Sequence, residues 1–410
     1  MYFFYYIPVG LDVKRGRKPT VTIFLITVSV IVFLLYRYLP RSAGFHPLNL
    51  LFQPSNPNPA TALTHAFFHA GWVHLAGNMI YLYIFGRALE DRFGSGRYFM
   101  IFSLAAAAGA YTHLALVKLW SPSMINTAVA GASGATSGLL GAFLIRLYFA
   151  RIRVAYWVFM PLQAVNRAGR KNVPAVIGVI VWFIYQAVYA LVQFHAGHVS
   201  IAYGVHVGGF ACGILTALLL GGAQDASRER HLVRARRYFR GSRWYAAQGQ
   251  YLDYLNLEPD NPEVHAELAR SYICSGQPGD AQEHFIEAVR LHLLRGDRGR
   301  AEDLFHQAVK SVRGFRMDEE AYLDLAFGLE RSMKFHRAAA AYKHFLDAYP
   351  LSGQASFVLL RLAGLYMGRL NDREKALKNY MRIISDFPAS EWAEFARMEL
   401  EKTEVILSGS

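Results

Sequence analysis

Acidic residues are almost absent from the first 224 residues of this 410-residue chain, where only Asp12, Glu90 and Asp91 occur. A soluble Ser-His-Asp triad needs a carboxylate that orients its histidine, and this half of the chain contains almost no carboxylates. The same scarcity removes a pair of catalytic aspartates, and no His-Glu-x-x-His zinc motif is present. Any hydrolytic site here must therefore work with very few carboxylates.

Cysteine is also scarce, with Cys212 in an apolar segment and Cys274 in the polar C-terminal part. One cysteine in each half argues against a structural disulfide and is compatible with a reducing compartment for the C-terminal part.

The charge is divided unevenly as well. Residues 1–224 hold 16 Lys and Arg against 3 acidic residues, whereas residues 225–410 hold 27 of each. The net charge of +13 thus belongs to the apolar half, which favours a membrane over nucleic acid as the partner.

Long apolar runs fill the first half. They predict six membrane-spanning helices, since about 20 apolar residues cross a bilayer, at residues 20–39, 72–89, 98–117, 132–149, 173–194 and 204–221. The first run superficially resembles a signal peptide, but it is long enough to span and lacks a convincing small-residue cleavage site. We interpret it as a retained helix.

Basic residues in the predicted loops indicate the orientation. With the N-terminus inside, the inner stretches 1–20, 87–98, 146–172 and 222–243 carry 20 Lys and Arg, and the outer stretches 37–71, 112–130 and 194–204 carry 3. Excess Lys and Arg stays on the cytoplasmic side. We therefore expect both termini in the cytoplasm, a long structured outer loop over residues 40–71, and residence in a bacterial plasma membrane.

A repeat follows Gly221-Gly222, where the sequence becomes charged and amphipathic. An alanine is followed four residues later by tyrosine and twelve residues later by proline at three places, which begin at Ala247, Ala338 and Ala376. Alanine lets two helices approach, the aromatic ring fills the space between hairpins, and proline ends the second helix. The pattern resembles tetratricopeptide repeats over roughly residues 230–400, with a generic helical bundle as the alternative.

Ser133 and His206 carry the chemical signal of the apolar half. Ser133 lies among three glycines, at positions 131, 134 and 138. His206 is followed by Gly209 and Gly213, three and seven residues later. Small residues at such spacing allow helices to approach closely. That approach brings the histidine within reach of the serine as a general base.

The apolar half resembles the rhomboid family of intramembrane serine proteases. Three motifs and the six-span layout carry the likeness: residues 65–79 (HAFFHAGWVHLAGNM), 131–138 (GASGATSG) and 206–213 (HVGGFACG). The resemblance implies a catalytic dyad of Ser133 and His206, with an oxyanion hole formed by His74, Asn78 and the backbone N–H of the nucleophile. No metal or organic cofactor is implied. The residue four positions after the nucleophile, aromatic in many members, is Ser137 here.

Histidines 65 and 69 are expected to fix the outer loop by hydrogen bonds. The alternative, a metal site formed by His65, His69 and His74, lacks a nearby carboxylate or cysteine to complete it.

The predicted fold is all-α: a six-helix rhomboid-like transmembrane bundle over residues 1–222, then a cytoplasmic α-solenoid of tetratricopeptide-like hairpins over residues 223–410. The expected activity is cleavage of transmembrane protein substrates near the outer leaflet. The expected partners are those substrates, the lipid bilayer, and a protein or peptide bound by the repeats, but no nucleic acid. A non-catalytic rhomboid-like binder that escorts membrane proteins is the first alternative. A transporter is the second, in which His74 and Asn78 would line a pathway.

Overall fold

The computed structural model of the chain describes residues 3–13, 16–38, 47–160, 165–195 and 201–408. The chain divides into two compact units, Met1–Arg230 and His231–Ser410. The start of the expected outer loop, at residues 39–46, lies outside the described residues.

The first unit combines a small sheet with a series of helices. In chain order its elements are β1 (Phe3–Leu11), α1 (Thr20–Tyr38), a 3-10 turn (Pro47–Leu50), α2 (Thr61–Thr64), a second 3-10 turn (His65–Phe67), α3 (Trp72–Tyr81), a π-helical turn (Leu82–Gly86), α4 (Arg87–Phe93), α5 (Ser95–Trp120), a third 3-10 turn (Pro122–Met124), α6 (Ser133–Arg146), β2 (Arg151–Met160), β3 (Val165–Pro174), α7 (Ala175–His195), α8 (Ile201–Leu219) and α9 (Gly222–Arg240). The residues of α9 after Arg230 belong to the second unit.

Each of the six expected spans contains a helix, but the helices differ in length and apolar character. Among the described residues, α1 and α5 are long and apolar enough to cross a bilayer. A third span is obtained if α8 and α9, which meet at a 72° bend, are counted as one. Helix α6 has 14 residues and is about 21 Å long at 1.5 Å per residue.

The all-α prediction is wrong in one respect, because β1, β2 and β3 form an antiparallel sheet in that order. Along β2, Ile152 and Val154 are buried while Arg151 and Arg153 are exposed, the two-residue alternation of a half-buried strand. The buried side chains join the hydrophobic core of the first unit. The arginines of this stretch led to its interpretation as a cytoplasmic loop and obscured the alternation.

Glu90 ties the start of α1 to the end of α4. Its carboxylate is 1% exposed. It accepts hydrogen bonds from the backbone N–H groups of Val21 (2.9 Å) and Thr22 (2.8 Å) and from the hydroxyls of Thr22 and Ser95. A helix N-terminus leaves its first N–H groups without carbonyl partners and favours negative charge. Glu90 therefore serves as a cap supplied from another helix.

The second unit is a chain of helices joined by short turns. They are α10 (Trp244–Leu255), α11 (Pro262–Cys274), α12 (Pro278–Leu294), α13 (Arg298–Ser311), α14 (Glu319–Arg331), α15 (Phe335–Ala348), α16 (Ala355–Gly368), α17 (Arg373–Asp386) and α18 (Trp392–Ser408).

The buried positions of these helices follow the sequence repeat. Alanine and the aromatic residue four positions later are both buried in five helices: Ala247 and Tyr251, Ala281 and Phe285, Ala301 and Phe305, Ala338 and Tyr342, Ala376 and Tyr380. Residues four apart share one helix face, so each pair contributes one small and one large side chain to the core. The predicted alanine–aromatic packing of the repeats is confirmed.

Candidate active site

The turn before α6 presents Ser133 at the first position of that helix. Gly131, two residues earlier, has a φ of +120°, and a Cβ added there would lie 2.6 Å from Cε1 of His74. Only glycine combines this backbone conformation with so close an approach of an imidazole. Ser133 is half-buried. Because it lies in the first turn of α6, its N–H has no carbonyl partner within the helix.

Helices α6 and α8 pack backbone against backbone. A Cβ added to Gly209 would lie 2.1 Å from the carbonyl oxygen of Gly134, and one added to Gly213 would lie 1.8 Å from that of Gly138. A side chain on either residue would therefore separate the helices. The predicted close approach at these glycines is confirmed.

The same packing of α6 against α8 brings the residue after Ser133 into contact with the residue before His206. A Cβ added to Gly134 would lie 2.6 Å from Cγ1 of Val205. Gly134 follows Ser133 in the chain, and Val205 precedes His206. The sequence neighbours of the predicted nucleophile and base are thus in direct contact.

His206 has one engaged and one open ring nitrogen. Its Nδ1 lies 3.1 Å from Oε1 of Gln186 on α7. Its Nε2 is buried and has no hydrogen-bond partner among the described residues. The rings of Trp182 and Tyr203 lie 6.1 and 6.2 Å from the imidazole, centroid to centroid. The histidine is therefore held on several sides while Nε2 stays available.

Asn78 and His74 reach the first turns of α6 from α3, one helical turn apart. The Asn78 side chain is 8% exposed, and its Oδ1 accepts a hydrogen bond from the Thr136 hydroxyl at 3.4 Å. Its Nδ2 is buried and unpartnered among the described residues. An amide donor left open near the first turn of α6 suits a group that carries developing negative charge.

His65 and His69 attach the preceding loop to the serine turn. The Gly131 N–H donates to the His65 carbonyl oxygen at 3.0 Å, and the Ala132 N–H donates to Nε2 of His69 at 3.5 Å. The His69 ring packs edge-on against His74, with centroids 5.2 Å apart. Across the described residues, no group of three or more His, Cys, Asp or Glu side chains is arranged to hold a metal ion.

Gln186 is the residue that the sequence analysis missed. It lies within the apolar run 173–194, and a polar amide in such a run is a signal of a functional or packing role. Nothing local in the sequence pairs residue 186 with residue 206.

Comparisons with known proteins identify the domains to which these residues belong. A family model described as the rhomboid domain matches residues 57–223, and a tetratricopeptide repeat model matches residues 357–390. Rhomboid protein 1, mitochondrial, of Saccharomyces cerevisiae is 28% identical over 243 residues, which cover 58% of this chain and 64% of that protein. Rhomboid protease GluP of Bacillus subtilis is 33% identical over 137 residues, which cover 32% of this chain and 25% of that protein.

The chain thus spans less than two thirds of either relative. Among solved structures, MamA protein aligns with 41% of this chain and 95% of its own at 16% identity, with a TM-score of 0.22, which is too low to support any argument. The two domain matches follow one another along the sequence, and the first includes Ser133, His206, His74 and Asn78. The chain therefore contains a rhomboid domain, followed by a C-terminal tetratricopeptide repeat.

Proposed function

We propose that the protein is an intramembrane serine endopeptidase with Ser133 as nucleophile and His206 as general base. The observation that carries this proposal is the glycine-to-glycine contact of α6 and α8, with Val205 against Gly134 and Nε2 of His206 buried and open. Such a pair needs no carboxylate close by, which fits a half-chain with three acidic residues.

The chemistry is acyl transfer to serine and then to water. Nε2 of His206 takes the proton from Oγ of Ser133 as Oγ bonds to the scissile carbonyl carbon. The resulting oxyanion accepts hydrogen bonds from Nδ2 of Asn78, the ring of His74 and the N–H of Ser133. Protonated His206 then gives its proton to the leaving amine as the C–N bond breaks. A water, deprotonated by His206, hydrolyses the acyl-enzyme and restores the serine.

The membrane layout in this proposal has six spans, both termini in the cytoplasm, and the site toward the outer leaflet. The Lys and Arg distribution of the loops supports it, as do helices in all six expected segments. Helix α6 is shorter than the roughly 30 Å hydrocarbon core of a bilayer. Ser133 at its start therefore lies below the outer surface and needs access to water.

Substrates in this proposal are transmembrane proteins whose helix unwinds near the cleavage site. A helical segment hides its carbonyl carbons within its own hydrogen bonds, so the scissile peptide must become extended before Ser133 attacks. The second unit, His231–Ser410, binds a protein or peptide in the concave groove that stacked hairpins create. It recruits substrates or localises the enzyme, in a bacterial plasma membrane.

The test is labelling with a fluorophosphonate, which reacts with activated serines, together with cleavage of a membrane-anchored substrate in detergent. Wild type should do both, and Ser133→Ala and His206→Ala should do neither while remaining folded, because the pair acts as a unit. Ser103→Ala, on α5, is the matched control and should behave as wild type.

Two results would count against the proposal. Cleavage by purified Ser133→Ala protein would refute the serine assignment. Folded wild type that neither labels nor cleaves, but still binds membrane proteins, would favour the escort alternative.

A further inference from the structure

We propose that Gln186 is a positioning residue for His206, and this inference rests on the proposed function. The Gln186 amide on α7 fixes which ring nitrogen of His206 carries the proton and how the ring faces Ser133. It takes the orienting role that a carboxylate has in soluble triads.

The hydrogen bond decides the tautomer. Oε1 of Gln186 is a pure acceptor and lies 3.1 Å from Nδ1 of His206, so Nδ1 must carry the proton and donate it. A neutral imidazole has one N–H, and Nε2 therefore keeps its lone pair. Nε2 is the buried nitrogen that has no partner in the part of the chain that the structure describes, and it is the one that the base chemistry requires.

No carboxylate of residues 1–224 is free to act in place of Gln186. The three acidic residues of residues 1–224 are all engaged elsewhere: Asp12 with the N–H of Arg151, Glu90 with the start of α1, and Asp91 with the N–H groups of Gly16 and Arg17. An amide also costs less to bury than an unpaired carboxylate. It fixes orientation and tautomer while adding little charge stabilisation to the imidazolium.

Helix α7 supplies a second restraint from the same face. Trp182 lies one turn before Gln186, and its ring stands 6.1 Å from the imidazole at an interplanar angle of 37°. Residues four apart share a helix face, so both side chains reach His206 together. Ser137 takes no part in this, because its hydroxyl donates to the Ser133 carbonyl oxygen at 2.6 Å.

The experiment compares Gln186→Ala, Gln186→Glu and the control Ile184→Ala in the full-length protein. Ile184 also lies on α7, but it is 54% exposed. Gln186→Ala should lower kcat by about 10-fold, the value of one lost hydrogen bond of about 1.4 kcal/mol, with KM little changed. Gln186→Glu should recover activity and move the acid limb of the pH–rate profile to higher pH, because a carboxylate also accepts from Nδ1 and stabilises the protonated ring.

A readout that does not need activity is the ¹⁵N spectrum of the histidines, with His206 assigned by difference from His206→Ala. Wild type should show His206 protonated at Nδ1, and Gln186→Ala should show a mixture of tautomers. Wild type that shows this tautomer but has no activity would refute the proposed function alone.

Three results would overturn the inference. They are an unchanged tautomer and kcat in Gln186→Ala, an equal loss of kcat in Ile184→Ala, and a Gln186→Glu enzyme whose pH profile and activity match those of Gln186→Ala.

Discussion

Gly209→Ala tests most directly the contact of α6 with α8 that the proposed pairing of Ser133 with His206 requires. The added Cβ would lie 2.1 Å from the carbonyl oxygen and 2.8 Å from the carbonyl carbon of Gly134. These are backbone atoms of a buried helix, and they cannot swing aside as a flexible side chain does. Ordinary contact begins near 3.4 Å, so α6 and α8 must move apart by about 1.3 Å at this point.

We expect kcat/KM to fall about 100-fold, the loss that a misplacement of about 1 Å produces. The same overpacking should lower the free energy of unfolding by about 1–3 kcal/mol. The assay measures initial cleavage rates and fluorophosphonate labelling rates in one detergent, and thermal unfolding of each variant. The matched control is Gly96→Ala on α5, where an added Cβ meets nothing within 4 Å.

Wild-type rates in a stable Gly209→Ala protein would refute the reasoning, since the contact of α6 with α8 would then not position the pair. An equal loss in Gly96→Ala would do the same, because the effect would not depend on the close contact.

The remaining predictions concern the oxyanion, metal, stability and the second unit. Asn78→Ala should lower kcat by about 10- to 1000-fold with a far smaller effect on KM; the reverse pattern in steady-state kinetics would favour a binding role. Activity should survive EDTA and phenanthroline, and loss that zinc restores would contradict a serine mechanism. In the second unit, Glu302 is 1% exposed and its Oε2 lies 2.6 Å from Nζ of Lys334. Burial tends to raise the pKa of Glu302, but hydrogen bonds from Arg337 and Lys334 outweigh it, so the pKa is lowered. A lowered carboxyl pKa contributes stability above the unfolded value of about 4.3, and that contribution is lost as pH falls through the folded value. Glu302→Gln should therefore cost about 1–2 kcal/mol near pH 7, and thermal unfolding should show the difference vanish in acid. A chain truncated after Gln224 should still cleave substrate in detergent, while residues 228–410 should be soluble and helical by circular dichroism; a folded but unreactive truncation would make the second unit part of the catalytic machinery.

The sequence predicted features that depend on local spacing. Alanine and an aromatic residue four positions apart lie on one helix face, so their burial in the second unit follows from the repeat itself. Gly209 and Gly213 likewise predicted a close helix contact, because two glycines four residues apart leave one face of α8 without side chains. The pairing of Gly209 with Gly134 and of Gly213 with Gly138 was not predicted, because spacing within one helix does not identify the partner on another.

Features that depend on tertiary pairing were missed. Gln186 meets His206 only because α7 packs against α8, and no spacing rule links two residues on different helices. The pairing of β1 with β2 was missed because the two strands are separated by some 140 residues of sequence. A strand whose partner is that distant resembles a short loop when it is considered alone.

Strand pairing also constrains how often the chain crosses the bilayer. Because β1 is hydrogen-bonded to β2 along residues 3–11 and 152–159, both strands lie on one side of the membrane. The number of crossings between Leu11 and Arg151 must then be even. The four helical segments α1, α3–α4, α5 and α6 satisfy this parity, whereas three or five crossings would put β2 on the wrong side.

Two further links impose the same parity over shorter stretches. Asp91 accepts hydrogen bonds from the N–H groups of Gly16 and Arg17, so the crossings between residues 17 and 91 are even in number. Arg92 and Arg146 both bind Glu229, at 2.7 and 2.8 Å, so the number of crossings between residues 92 and 146 is even as well. Hydrogen bonds outside the bilayer thus restrict the topology independently of hydropathy and of loop charge.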